Sequence, residues 1–243
     1  MATRDSHIPG GRVTLDSGLR CWVAKPAENA APPGVLLYIE AYGVNAHMRA
    51  VADRFAQAGY AAIIPDIFHG RTFDYGNTQS AMRAVRELDD AQVMRESAEA
   101  LKWLAEDGHG KPAVVGFCMG GRLAFLAAIE LGSHISRAVC YYGGGIAAEG
   151  ERDKYGRRPP IVGVADIAVP LLLHYGGRDA VIDSAEQLRV ATALSKAGKQ
   201  YVLAVYPEAG HAFNCEDRPH YHDASAAEAR RLTLAFLGGP HRH

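Results

Sequence analysis

The sequence predicts a single α/β domain over residues 1–243: a mostly parallel, doubly wound sheet of about eight strands flanked by helices, a three-layer sandwich. Three observations carry this reading. Short apolar runs of four to six residues recur along the chain and alternate with segments whose apolar residues return at helical spacing. Turn formers, chiefly Gly, Pro, Asn and Asp, punctuate the boundaries between them. With 243 residues and 48% apolar content, the chain has ample material for one large core.

Residues 12–15 and 20–25 flank Asp16-Ser17-Gly18, a turn signal, so the chain opens with an antiparallel hairpin at a sheet edge. A linker over 27–34 leads to a continuous apolar strand at 35–39. In the helix over 46–58, Met48, Val51, Ala52 and Phe55 share one face and Gly59 is the stop; the strand at 61–65 completes a βαβ unit. Residues 79–107 form one long amphipathic helix or two joined ones. A strand at 113–117, a helix at 122–131 and a strand at 138–142 follow, and then a glycine-rich polar excursion over 143–164. A strand at 171–175, a helix at 184–197, a strand at 201–206 and a helix at 224–237 close the pattern. In such a sheet, functional groups collect on loops at the C-terminal ends of the strands.

Charge narrows the partners. The 26 Lys and Arg against 27 Asp and Glu give a net charge of −1, with no basic stripe for nucleic acid and no polybasic membrane patch. Residues 1–10 lack an apolar core of signal length, and no run reaches the ~18 residues of a membrane helix. The expectation is a cytoplasmic protein acting on a small molecule, a monomer by default with a dimer as the alternative. Cys21, Cys118, Cys140 and Cys215 lie far apart without zinc-like pairing and are expected to be free thiols. His220 and His222, two apart and without a nearby third ligand, read as solvated loop residues, so no metal is expected.

The sharpest chemical signal is A-V-V-G-F-C-M-G-G at 113–121, a buried strand running into a glycine-punctuated turn with Cys118 at its tip. This is the layout of a nucleophile turn with cysteine in the serine position. Side chains at Gly116 or Gly120 would collide with the neighbouring backbone at so tight a bend, and Gly121 lets the following helix approach the sheet. The dipole of that helix then favours thiolate. A cysteine nucleophile needs a base and a group to orient the base. Asp179 follows the strand 171–175 through Gly176-Gly177-Arg178, and His211 follows the strand 201–206 through Pro207-Glu208-Ala209-Gly210. Taken singly, Asp179 could be a helix cap, a task for which Asp183 or Ser184 is better placed, and His211 a solvated loop histidine. Together, in the order Cys, Asp, His at successive strand ends, they read as a triad.

With these residues the chain resembles the dienelactone hydrolase (carboxymethylenebutenolidase) family of the α/β-hydrolase fold. The resemblance rests on I-E-A-Y-G-V-N at 39–45, G-F-C-M-G-G at 116–121, Y-G-G-R-D at 175–179 and E-A-G-H-A-F at 208–213. It implies a cofactor-free hydrolase that opens the enol-lactone ring of dienelactone in aromatic-compound degradation. Cys118 would be the nucleophile, His211 the base and later acid, and Asp179 the orienting carboxylate. It further implies that Glu40 sits beside the thiol, holds it protonated at rest and accepts its proton when substrate enters, so Glu40 should be partly buried. The backbone N–H groups of Met119 and Ala41 would form the oxyanion hole.

Family members active on dienelactone place an arginine four residues after the catalytic histidine, where this chain has Cys215. The partner for a substrate carboxylate is therefore sought among Arg83, Arg86, Arg71 and Arg218, each of which also reads as a solvated charge. Tyr42, Phe68, Phe73, Tyr75, Tyr142 and Phe213, on strand ends and loops, are candidate pocket walls or core. Substrates would be dienelactone or related lactones and activated esters; a general carboxylesterase or thioesterase on the same triad is the alternative. Two readings from other classes are a thiol redox sensor, with Cys140 or Cys215 as resolving partner, and a non-catalytic binding protein on the hydrolase fold.

Overall fold

A computed structural model describes residues 7–27, 31–106 and 110–238. The first residues of the leading segment, the middle of the 27–34 linker and the end of the helix expected to reach residue 107 lie outside the described residues. Among the described residues, eight strands and six α-helices form the expected mostly parallel α/β architecture. The chain divides into two compact units, residues 1–114 with 134–136, and residues 115–133 with 137–243.

In the first unit, β1 (His7–Thr14) and β2 (Arg20–Pro26) make the expected hairpin, Thr14 opposite Arg20. Its turn is tied to the unit by Ser17, whose Oγ donates to Glu99 at 2.5 Å. β4 (Ala61–Pro65) pairs antiparallel with β2 and parallel with β3 (Gly34–Tyr38). The antiparallel edge thus comes from the hairpin, and the parallel core starts with the βαβ unit. α1 (Ala46–Gln57) begins where the Asn45 side chain accepts the Met48 N–H at 3.0 Å, and it buries Met48, Val51, Ala52 and Phe55 as its spacing predicts. The long helical stretch is two helices, α2 (Thr78–Glu87) and α3 (Asp90–Leu104). They part because Leu88 is extended and the Asp89 carboxylate accepts the Ala91 N–H at 2.8 Å, which starts a fresh helix.

β5 (Ala113–Phe117) runs across the boundary and leads into the second unit. There β6 (Ala138–Tyr141), β7 (Leu171–Gly176) and β8 (Tyr201–Tyr206) pair in parallel, Leu171 facing both Ala138 and Tyr201. β5, β6 and β7 are buried at every residue, as continuous apolar runs covered on both faces must be. Each such Leu or Val contributes roughly 1.5–3 kcal/mol on burial. α5 (Ser184–Lys196) and α6 (Asp223–Leu237) cover opposite faces. Tyr201 bonds to Ser195 and Ala191 of α5, while Tyr206 reaches His174, which bonds Thr233 of α6. Residues 201 and 206 differ by an odd number and so point to opposite sides of the strand.

α4 (Met119–Glu130) differs from the expected helix at 122–131 by starting three residues earlier. The Cys118 carbonyl already accepts the Gly121 N–H at 2.9 Å, so the helix begins directly after the strand end.

Candidate active site

Cys118 has φ 57° and ψ −120°, a left-handed conformation that a non-glycine residue adopts only when its surroundings impose it. Here they do. Its N–H donates to the Tyr141 carbonyl of β6 at 3.0 Å, and its carbonyl is engaged by the first turn of α4. A Cβ on Gly116 would overlap the Gly120 carbonyl oxygen, and one on Gly121 would lie 2.6 Å from the Tyr141 oxygen and 2.9 Å from Gly143 Cα. The glycines therefore let strand, helix and β6 meet backbone to backbone, and the cysteine is presented half-buried at the tip.

Asp179 and His211 sit on loops that are themselves zipped together. The Gly177 N–H donates to Tyr206 O at 2.7 Å and the Arg178 N–H to Ala209 O at 2.9 Å. Such contact needs bare backbone on one side: a Cβ on Gly176 would overlap the Ala209 oxygen, and one on Gly177 would sit 2.8 Å from Pro207 Cα. The Asp179 Oδ1 accepts the N–H groups of Val181 and Ile182 at 2.7 and 3.0 Å, and Oδ2 faces His211 Nδ1 at 2.9 Å. Helix capping falls to Asp183, which accepts the Glu186 N–H at 2.7 Å. His211 Nε2 then lies 3.2 Å from Cys118 Sγ. The structure thus brings Cys118, His211 and Asp179 into one hydrogen-bonded chain.

Burial alone would lower the basicity of the His211 imidazole. The negative charge at Cys118, hydrogen bonds to Asp179 and Cys118, and the Asp179 charge outweigh it and push the ring up to about 10. The Asp179 side chain is wholly buried and that of His211 is 12% exposed, so solvent screens the pair weakly. A cysteine, an imidazolium and a fixed carboxylate in line can deliver a sulfur nucleophile to a carbonyl and a proton to the leaving atom.

A family model for dienelactone hydrolases matches residues 19–239. The chain belongs to the dienelactone hydrolase family. A Yersinia pestis protein provisionally named carboxymethylenebutenolidase is 34% identical over 236 residues, covering 93% of this chain and 87% of the relative. A Bradyrhizobium relative, provisionally named 2-oxo-3-(5-oxofuran-2-ylidene)propanoate lactonase, is 30% identical over 220 residues, covering 89% and 87%. A crystal structure from Klebsiella pneumoniae, provisionally named dienelactone hydrolase, aligns with TM-score 0.87 and 30% identity over 95% of this chain and 98% of that one. This dienelactone hydrolase family member is accordingly a hydrolase acting on esters or lactones.

The remaining candidates fall in two groups. Glu40, 1% exposed, and buried Ala41 and Tyr42 follow β3 in the first unit, and Met119 is buried at the start of α4. The loop after β3 is held by the Phe73 N–H donating to Tyr42 O at 3.1 Å and by the Asn45 amide donating to the Tyr75 hydroxyl at 3.1 Å. Arg83 and Arg86 are exposed on α2, and Arg71 is engaged by Glu87 at 2.6 Å. Phe68, Tyr142, Phe213 and Cys215 are fully buried. Tyr142 and Phe213 pack with ring centroids 5.3 Å apart. His222, partly exposed in the loop before α6, is the N-cap of that helix and accepts the Ser225 N–H. Among the described residues, no helix is long and apolar enough to cross a membrane.

Two features escaped sequence reasoning. His174, inside the apolar run of β7, is wholly buried between the Tyr206 hydroxyl at 2.9 Å and Thr233 Oγ1 at 3.0 Å; burial pushes its basicity down to about 3, so it stays neutral. A histidine interrupting L-L-L-H-Y was the available signal. Arg122, on the first turn of α4, is buried 3.8 Å from Asp153 and donates to Arg158 O at 3.1 Å. These contacts anchor the 143–164 excursion to α4, and only contacts distant in sequence reveal them.

Proposed function

We propose that this chain is a single-domain, cysteine-dependent hydrolase of lactones and activated esters, with Cys118 as nucleophile, His211 as acid and base, and Asp179 as the group that orients His211. The continuous hydrogen-bonded line from Asp179 through His211 to Cys118 Sγ carries the reading. The sulfur of Cys118 attacks the ester or lactone carbonyl. The resulting oxyanion is assigned to the N–H groups of Met119 and Ala41, each such donor being worth about 3 kcal/mol in the transition state. As the carbonyl re-forms, the C–O bond breaks, the leaving oxygen takes the His211 proton, and the acyl group remains on sulfur. His211, now neutral, removes a proton from water; the hydroxide equivalent attacks the thioester, releasing the acid and returning the proton to the sulfur–histidine pair.

An enolate or other stabilised leaving group suits this chemistry, because it departs with little protonation. The name of the Bradyrhizobium relative, a lactonase for an ylidene-furanone propanoate, supports the same substrate class here. Glu40 is assigned from the family resemblance as the carboxylate that keeps Cys118 protonated at rest and accepts its proton when substrate enters, and its burial supports that assignment.

Hydrolysis of cis- and trans-dienelactone beside aryl esters and thioesters, by the unsubstituted protein and Cys118→Ala, tests the proposal. Activity abolished in the variant supports it, and the preferred substrate separates a lactonase from a general esterase. Activity that survives the substitution overturns the triad.

A further inference from the structure

The Tyr142 side chain meets the triad from inside the protein. Its ring centroid lies 5.4 Å from that of His211 at an interplanar angle of 62°, an edge-to-face contact, and the residue is wholly buried. Its backbone has φ 37°, a left-handed value that a bulky aromatic residue rarely adopts. Two neighbours impose it. The Tyr142 N–H donates to the His174 carbonyl at 2.7 Å, and Tyr141, one residue earlier, accepts the Cys118 N–H through its own carbonyl. The next residue, Gly143, leaves no room for a Cβ against Gly121 and Arg122 of α4. Phe213 packs on the ring of Tyr142 at 5.3 Å and Phe117 at 6.4 Å. The strained corner at the end of β6 therefore grips the nucleophile by backbone and the base by a side chain.

We propose that Tyr142 is a positioning residue for His211, its ring holding the imidazole in line between Asp179 and Cys118 and favouring the charged ring, rather than a wall of the substrate pocket. This rests on the triad reading above. The contact has the spacing of an aromatic ring against a cation, which is worth more when water is excluded. Substrate binding would be untouched by its loss. What would change is the fraction of His211 correctly aligned, and misalignment of a catalytic group by about 1 Å costs on the order of a hundredfold.

The test uses Tyr142→Leu, Tyr142→Phe and a trifluorinated phenylalanine at position 142, which keeps ring size while weakening its face. Kinetics on an aryl ester are normalised to folded protein by circular dichroism, and the His211 imidazole is titrated by NMR. Leu is expected to lower kcat by about 10- to 100-fold with KM within about twofold, and to lower the His211 midpoint by roughly one pH unit. Phe is expected to restore kcat to within about threefold, and the fluorinated ring to lower the His211 midpoint while the fold is unchanged. A Leu variant with unchanged kcat, a change confined to KM, or a His211 midpoint that ignores both Leu and fluorination overturns the proposal. If the Leu variant does not fold, the fluorinated ring decides. The NMR readout needs no turnover, so a triad disproved by an active Cys118→Ala leaves this contact separately judged.

Discussion

The α-carbon of Gly176 faces the carbonyl oxygen of Ala209 so closely that no side chain fits between them. That one approach joins the loop that carries Asp179 to the loop that carries His211, with backbone hydrogen bonds at Gly177 and Arg178 closing the seam. The Asp179–His211 distance of 2.9 Å is therefore set by two glycines that touch neither reacting atom.

Gly176→Ala should separate the two loops. A Cβ overlapping the Ala209 oxygen and 2.8 Å from that of Gly210 must move backbone rather than a flexible side-chain tip. We expect a loss of about 1–3 kcal/mol in unfolding free energy, as for other overpacked sites, and a fall in kcat of at least tenfold. Urea denaturation and steady-state kinetics on the same preparation check both; a fully active, equally stable Gly176→Ala would mean the seam does not position the triad.

His174 should make the protein acid-sensitive. Its folded-state value, about 3, lies below the ordinary 6.5 because burial penalises the charged ring. Between these values the unfolded chain binds a proton that the folded chain refuses, so stability is fully present above pH 6.5 and falls as the pH drops towards 3. Over the whole window the loss is on the order of 4–5 kcal/mol. His174→Gln, which keeps a polar group between Tyr206 and Thr233, should flatten the acid limb in urea midpoints measured from pH 7 to pH 4. An unchanged slope would exclude His174 as its source.

Alkylation should separate Cys118 from the other thiols. Cys118 is half-buried, whereas Cys21, Cys140 and Cys215 are buried. Burial, with the charges of Glu99 and Asp66 adding to it, pushes the Cys21 thiol up to about 12, and burial pushes Cys140 higher still. Iodoacetamide at pH 7 should therefore give one adduct, at Cys118 by peptide mass spectrometry, with hydrolysis lost in proportion. An adduct first at any other cysteine would contradict this ordering.

Much of the molecule was legible in one dimension. Periodicity placed β4, β5 and β8 at their observed bounds and the other strands and α-helices within a few residues, apart from β1, which starts at His7, and α4, which starts at Met119; the 3-10 helix at Pro160–Asp166 lies where only an irregular excursion was expected. Those differences are physical: a bulged edge strand carries no strict alternation, and a helix nucleated by a left-handed Cys118 begins before any helical spacing is visible. Glycines and strand ends single out Cys118, Asp179 and His211 locally, and the fold brings these three side chains into one hydrogen-bonded line.

The amino-acid sequence by itself determined which segments are strands and helices, which cysteine stands at a strand-to-helix turn, and that Asp179 and His211 follow later strand ends, because each depends on local stereochemistry and short-range hydrophobic patterning. Only the tertiary structure decided that Gly176 and Gly177 zip two loops together, that Tyr142 faces His211, that His174 is buried neutral, and that Arg122 holds the excursion through Asp153. Those relationships join residues 29 (Gly177 to Tyr206) to 69 (Tyr142 to His211) positions apart, and their energies come from packing and desolvation, which arise only once the chain has closed around them.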